Sequence, residues 1–330
     1  MYTTHSLKSK SIKVEQKELD QLARLALHQY ERTFSSINFF AKETSTIYKV
    51  VDSHQQEYAL KIYEEASSNE DDNQIEILIL DAIKEKGTIQ APEIITNRLG
   101  EKLTYYQDAV FTNPRRISVT KWLKGEDLND NESELAFINL GKLMGELHLI
   151  LKNIKLPEGI TPKKWDKVLY FRDEEPNYKK KKNSKKVDEE FIDVIEHAIP
   201  ILDTELKRIY IQEPPQLLHG DINPWNIKLE KEKLSILDFE DAIYGPRIHE
   251  LAIMLYYYKE DKRFSYKLVK DRVLEGYLQV NPIKEYKDSD IEILMLARLA
   301  NFLNYVLILE GDFEEFIKKG KSKLKSFIEA

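Results

Sequence analysis

Cysteine is absent from the 330-residue chain, which excludes disulfides, thiolate-bound metals and a cysteine nucleophile. A reducing, cytoplasmic setting fits that absence. No run of eighteen or more apolar residues occurs, so no membrane span is expected. Met1-Tyr2-Thr3-Thr4-His5-Ser6 lacks the apolar core of a signal peptide. Basic charge is not in excess: the formal net charge is −7, which gives no global electrostatic case for a nucleic-acid partner. There is no internal repeat and no histidine set with metal-ligand spacing. What remains is 42% hydrophobic and 32% charged residues, ordinary for a globular chain long enough for two lobes with their own cores.

The most informative segment is His219-Gly220-Asp221-Ile222-Asn223-Pro224-Trp225-Asn226, followed by Leu237-Asp238-Phe239-Glu240. Asp221 and Asn226 are five residues apart, and Asp238 follows Asp221 by seventeen. Phosphoryl transfer to a hydroxyl needs such a set: a carboxylate to receive the proton, an amide oxygen for one Mg²⁺, and a carboxylate for the metals. Gln216-Leu217-Leu218 reads as a strand and 219–226 as the loop after it. Residues 226–229 and 234–237 alternate like a hairpin, with Lys231-Glu232-Lys233 as its turn. A hairpin of that length returns Asp238 to the end that holds Asn226, so two oxygen ligands converge as hard Mg²⁺ requires. The alternative is an unrelated loop and strand end, and the ordered set at this spacing argues against it.

At these residues the chain resembles the aminoglycoside phosphotransferase and choline kinase-like family, which has the protein-kinase fold with HGD where eukaryotic kinases have HRD. Gly245-Pro246-Arg247-Ile248-His249-Glu250-Leu251-Ala252 is similar to the family's segment after the metal-binding Asp, with Glu250 replacing the usual Asp. Its Gly-Pro start is nearest to the bacterial stress-response kinases, which resemble protein Ser/Thr kinases in activity. The resemblance covers residues from about 20 to 310. It implies ATP and Mg²⁺ as cofactors, Asp221 as the catalytic base, and Asn226 and Asp238 as metal ligands. It also implies that His219 supports its loop and that His148, in Gly145-Glu146-Leu147-His148, is buried structure.

Hydrophobic periodicity predicts helices over 15–31, 70–86, 132–154, 188–211, 247–259, 264–279, 289–310 and 312–328. It predicts strands at 37–40, 46–51 and 58–63, another opened by Pro92, and a β-rich run from Ile117 to Leu123. A β-rich front and a helical back argue for an α+β chain in two lobes. With the resemblance, the expectation is a two-lobed protein-kinase-like fold. Residues 1–118 form the N-terminal lobe, 119–124 the hinge and 125–330 the C-terminal lobe.

Lys61, in Tyr58-Ala59-Leu60-Lys61, holds the place of the third-strand lysine that contacts the α- and β-phosphates. The family offset makes Glu76 its partner, while Glu70, Asp71 and Asp72 suit the helix N-terminus. The nucleotide-covering loop is expected at 41–46. It has no glycine, so Thr44, Ser45 or Thr46 is expected to offer donors. Backbone groups of Val119, Lys121 and Leu123 are expected to meet adenine, with Trp122 packing at the lobe junction.

Several readings stay open at this stage. The acceptor is a small molecule carrying a hydroxyl, or a protein Ser/Thr side chain; a non-catalytic ATP-binding scaffold is a third reading. Six lysines among 179–186 are a solvated insertion or a docking site for an anion, with Asp173-Glu174-Glu175 and Asp188-Glu189-Glu190 flanking them. Tyr256-Tyr257-Tyr258 is core packing, or with Trp225 an aromatic wall for a quaternary ammonium. The oligomeric state is not legible.

Overall fold

The computed structural model describes residues 10–65, 67–107, 114–170, 175–183, 185–283 and 286–329. In chain order its elements begin α1 (Lys10–Leu27), β1 (Phe34–Lys42), β2 (Ser45–Asp52), β3 (Glu57–Tyr63), α2 (Glu70–Lys86), β4 (Thr104–Tyr106), β5 (Arg115–Lys121) and β6 (Glu126–Asp127). They continue α3 (Glu134–Leu151), α4 (Glu189–Gln212), β7 (Gln216–Leu218), β8 (Ile227–Glu230), β9 (Lys233–Ile236) and β10 (Ile243–Gly245). Last come α5 (Arg247–Tyr256), α6 (Tyr266–Val280), α7 (Asp288–Tyr305) and α8 (Glu314–Ile328). By internal contacts the chain forms two units. The first takes residues up to 131 with 154–161 and 226–241, and the second takes the rest.

The first unit is an antiparallel sheet in the order β1-β2-β3-β5-β4. Strand alternation decides its faces. Tyr48, Val50, Tyr58, Leu60, Ile62, Ile117 and Val119 point to one side, where Leu19, Leu22, Ala23 and Ala26 of α1 cover them and form the core. The other side carries the paired positions Ile47, Lys61 and Ser118, then Lys49, Ala59 and Thr120. A slip of one residue would exchange the two sets. Helix α2 has the boundaries that its sequence predicts. Asn69 and Asp72 form a capping box at its start, and Gly87 at φ 67° turns the chain out at its end.

The helix predicted over 15–31 stops at Leu27. Tyr30 leaves it to bury its ring and share a hydrogen bond with Thr104. The strand expected at Pro92 reduces to isolated bridges at Gln90 and Ile94. The hairpin β8–β9 adds β6 at its edge and a bridge to Gln90, so residues 226–241 belong by contacts to the first unit. The contact boundaries therefore differ from the lobe boundaries at 119–124.

The second unit is helical around the short ladder β10–β7. Its tightest crossing is α3 on α6. A Cβ on Gly141 would fall 2.0 Å from the Val273 carbonyl oxygen, and one on Gly276 would fall 1.9 Å from that of Ile138. Helix α3 buries the expected stripe Leu140, Leu143, Met144 and Leu147. Residues Asp288–Ile308 are long and apolar enough to pass a composition test for a membrane span. They form a core helix instead, with 61% of that window buried.

Candidate active site

In the first unit the site is built around one ammonium. Lys61 Nζ lies 2.8 Å from Asp238 Oδ1, 2.9 Å from Glu240 Oε2 and 3.3 Å from Glu76 Oε1. Strand β3 aims Lys61 at this side of the sheet, and α2 brings Glu76 to it. Tyr63, two residues on and so on the same face, donates to Glu76 Oε2 at 2.8 Å and also meets Ser118 Oγ at 2.9 Å. Burial works against the Lys61 charge, but Asp238, Glu76 and Glu240 outweigh it and hold its pKa well above the ordinary value. Burial raises the Glu76 carboxyl, as do Asp238 and Glu240, against the opposing pull of Lys61. One ammonium thus serves three carboxylates.

The hairpin that delivers Asp238 closes with a two-residue turn, since Glu230 pairs with Lys233. Lys231 and Glu232 take positive φ there, at 48° and 68°. The turn is one residue shorter than expected. At the far end Leu237 N donates to Asn226 O at 2.9 Å, which sets Asn226 beside the residue before Asp238. Asp238 itself sits at φ 62°, a left-handed conformation that is uncommon for a non-glycine residue.

Two expectations on this half need correction. Of Thr44, Ser45 and Thr46, only Thr44 is at the exposed hairpin tip. Ser45 and Thr46 are buried in β2: Ser45 donates to Glu240 Oε2 at 2.6 Å, and Thr46 faces Glu64 at 3.5 Å. Sheet pairing begins one residue after the tip, which leaves no longer loop for them to occupy. Val119 and Lys121 lie inside β5, and their backbones are used there. Val119 O accepts from Ile95 N at 2.9 Å, and Lys121 N donates to Glu93 O at 2.8 Å. Leu123 falls after the strand and is half-exposed. Trp122 packs edge-on to Phe40, with Lys49 over its ring, in keeping with a packing role.

In the second unit the site is built around Asp221. Glu250 on α5 accepts from His219 N at 2.5 Å and from Gly220 N at 3.0 Å, so a buried carboxylate pins the loop by its backbone. Burial would raise the Glu250 pKa, yet His148 and His219 hold it below the ordinary value. The larger Glu side chain thus fills the place of the family's usual Asp. His219 is fully buried and accepts from Asp221 N at 3.2 Å, and His148 is fully buried with Nδ1 2.7 Å from Tyr277 Oη. Gly220 takes φ 85°, which glycine adopts without strain.

The Asp221 carboxylate meets two residues that local sequence reading missed. Its Oδ1 accepts from Arg298 Nη2 at 2.9 Å and from Tyr257 Oη at 3.1 Å. Its Oδ2 accepts from Asn223 Nδ2 at 2.8 Å. The Arg298 side chain is only 9% exposed, and its guanidinium carbon lies 4.8–5.9 Å from the ring centres of Trp165, Tyr256, Tyr257 and Phe302. Burial opposes the Arg298 charge, and Tyr257 and Asp221 outweigh burial, so its pKa is raised. The available signal was a single arginine inside the apolar run Ile293-Leu294-Met295-Leu296-Ala297-Arg298-Leu299-Ala300. A charge there must be paired or solvated.

The three adjacent tyrosines divide. Tyr258 is core and donates to Glu132, Tyr256 packs on Phe302, and Tyr257 reaches Asp221. Of the expected aromatic set, Tyr256 and Tyr257 face Arg298 together with Trp165 and Phe302, while Trp225 meets Tyr257 edge-on. The lysine-rich stretch is held locally: Lys179 pairs with Glu196 at 2.6 Å and Lys186 donates to Leu307 O at 2.7 Å. Of its acidic flanks, Asp188 and Glu190 pair with Lys321, while Asp173 and Glu174 lie outside the described residues.

A family model described as phosphotransferase enzyme family matches residues 36–282. The chain belongs to this family. Amicoumacin kinase of Bacillus subtilis (strain 168) is 27% identical over 135 residues, 40% of this chain. The chain spans about 37% of the length of that relative in the match. Among solved structures, an amicoumacin kinase in complex with AMP-PNP, Ca²⁺ and Ami superposes with a TM-score of 0.75 at 18% identity, covering 97% of this chain and 96% of its own. A microcompartment-associated aminopropanol kinase gives 0.72 at 16% identity, covering 94% and 95%. Spectinomycin phosphotransferase with ADP and its antibiotic gives 0.58 at 14%, covering 93% of each chain. These likenesses establish the two-lobed protein-kinase-like fold, with a small β-sheet lobe and a larger helical one.

Proposed function

We propose that this protein is an ATP- and Mg²⁺-dependent phosphotransferase that moves the γ-phosphoryl group to a hydroxyl of a small molecule. The observation that carries the reading is the Lys61 ammonium set among Glu76, Asp238 and Glu240 in a chain of a phosphotransferase family. Lys61, oriented by Glu76, contacts the α- and β-phosphates. Adenine lies on the half-buried side chains Ile47, Ala59 and Thr120, with its edge toward the backbone of 122–124. Thr44 at the hairpin tip covers the phosphates.

Asn226 and Asp238 would hold Mg²⁺, which would neutralise phosphate charge. The donor set fits: it is all oxygen, with carboxylate in excess of ammonium. Among the described residues no group of three or more His, Asp or Glu forms a complete metal cage, and Mg²⁺ commonly takes one or two carboxylates plus phosphate oxygens. Asp221 receives the hydroxyl proton and aims the acceptor oxygen. Positioning and electrostatics supply most of the rate. A cytoplasmic location, where Mg-ATP is abundant, belongs to the same reading.

Relatives named for amicoumacin, aminopropanol and spectinomycin favour a small acceptor over a protein side chain. The Gly245-Pro246 start of α5 keeps a protein Ser/Thr kinase as the second reading. Retention of Lys61, Asp221, Asn226 and Asp238 argues against a scaffold. The test is Mg-ATP turnover against amino alcohols, aminoglycosides, amicoumacin and a general protein substrate, each with and without EDTA. EDTA-sensitive phosphorylation of a small hydroxyl compound is expected. Labelling of protein alone would replace the first reading with the second, and no turnover with any acceptor would sink both.

A further inference from the structure

Arg298 lies outside every motif that assigns a role in this chain, yet it touches the carboxylate proposed to receive the acceptor proton. Its Nη2 meets Asp221 Oδ1 at 2.9 Å and Tyr257 Oη at 3.0 Å, and Tyr257 Oη meets the same Oδ1 at 3.1 Å. The three groups close a triangle. Asp221 sits on a loop, and loop side chains lose orientation readily. Arg298 and Tyr257 stand on or at the end of packed helices: α7 carries the first, and the second follows α5 directly. Four rings confine the guanidinium, so the donor that meets Oδ1 is preset before any ligand arrives. The nearby His249 does not share the charge. Burial first, and then Arg298 itself, hold its pKa down to about 3, so it is neutral near pH 7.

We propose that Arg298 is a positioning residue for phosphoryl transfer: from α7, with Tyr257, it holds the Asp221 carboxylate in the orientation that receives the acceptor hydroxyl. The inference rests on the role proposed above for Asp221. A cation beside a base weakens it as a base. That cost is tolerable here because proton removal is a small part of a loose phosphoryl transfer, whereas aim is a large part. The same geometry bears on acceptors. The aromatic box beside Asp221 already holds a guanidinium, so the acceptor's own cationic groups must find another place.

The test is a double-mutant cycle between Arg298→Met and Asp221→Asn, with Arg298→Lys as the conservative variant, on whichever acceptor the wild type phosphorylates. Arg298→Met is expected to lower kcat by about 10–100-fold while KM for Mg-ATP stays within about threefold, because the interaction serves orientation and not nucleotide binding. Arg298→Lys should recover at least about a third of the lost logarithm of kcat, since an ammonium on a shorter stem reaches Oδ1 less well. In the Asp221→Asn background Arg298→Met should cost less than about threefold, because the group it aims is already gone.

Thermal melting of each variant separates a folding defect from a kinetic one. If Arg298→Met melts more than a few degrees low, Tyr257→Phe carries the cycle in its place, with the same non-additivity expected. Wild-type kcat in a folded Arg298→Met protein overturns the proposal. So do independent, multiplying losses in the double mutant, and so does an Arg298→Lys enzyme as slow as Arg298→Met. An Asp221→Asn enzyme with full activity would instead refute the underlying role of Asp221, so the two failures are distinguishable.

Discussion

The two charged clusters are built on opposite terms. Around Lys61 three carboxylates face one ammonium, an excess of two negative charges when all are ionised. Around Asp221 one carboxylate faces one guanidinium, and aromatic rings close the back. In the first cluster, three carboxylates gathered on one ammonium make a setting that would favour an added cation, as the metal site proposed above requires. The second is complete in itself, which suits a group that must be aimed before its substrate arrives. Their supports differ in the same sense. Glu240 is held by side chains, the Ser45 hydroxyl and the Lys61 ammonium. The loop bearing Asp221 is held by two backbone N–H groups on a buried carboxylate.

Substitutions can break this contrast. The largest effect is expected from Asp238→Ala. It removes the proposed metal ligand and a Lys61 partner together, and should lower Mg-ATP turnover by about 10³-fold or more while the protein stays folded. Melting with and without Mg²⁺ sharpens the point: the wild type should be stabilised by Mg²⁺, and Asp238→Ala less so. Normal turnover in a folded Asp238→Ala protein would end the metal assignment.

Next comes the support of the second cluster. Glu250→Gln leaves at least one buried N–H of the His219–Gly220 pair poorly satisfied, and should destabilise by about 2–3 kcal/mol at neutral pH. The folded Glu250 pKa lies below its ordinary value of 4.5. Its contribution is therefore present above that value and is lost as pH falls through the folded pKa. The gap between wild type and Glu250→Gln should accordingly close below about pH 4.5, and denaturant melts at pH 7 and below pH 4 check it. A gap that widens on acidification would show that Glu250 is not the anion that pins the loop.

The smallest effect belongs to Ser45→Ala. It deletes the hydroxyl that steadies Glu240, and should raise KM for Mg-ATP by about two- to fivefold, the worth of one hydrogen bond to a charged group. Loss of all activity there would mean that Ser45 meets the nucleotide directly, as the sequence first suggested.

Gly276→Ala probes the frame beneath the second cluster. Its added methyl meets the Ile138 carbonyl, so the α3–α6 crossing must open, at about 1–3 kcal/mol or more by thermal melting. An unchanged melting temperature would mean that the crossing is loose.

Much of this molecule was legible in one dimension. Apolar, β-rich runs placed β2 and β3, and helical periodicity placed α2 over 70–86. The hairpin spacing placed Asn226 beside the residue before Asp238, because a short hairpin is a local structure whose length decides where its ends meet. Of the residues expected at the adenine edge, Val119 and Lys121 have backbone groups already bonded to the 93–95 segment, and Leu123 lies beyond the strand. A strand and the hinge after it look alike as short apolar runs, and only a neighbouring strand decides which backbone groups are already used.

Other features existed only in three dimensions. Nothing near Gly141 or Gly276 in sequence says that two helices cross there without room for a Cβ. Nothing near Asp221 names Arg298, 77 residues away. Sequence by itself determined the family and most of the elements, since these depend on motif, local propensity and spacing. Tertiary structure alone decided which charges meet. It set one cation among three carboxylates and locked another against Asp221, because pairing of charge depends on the packing of elements distant in the chain.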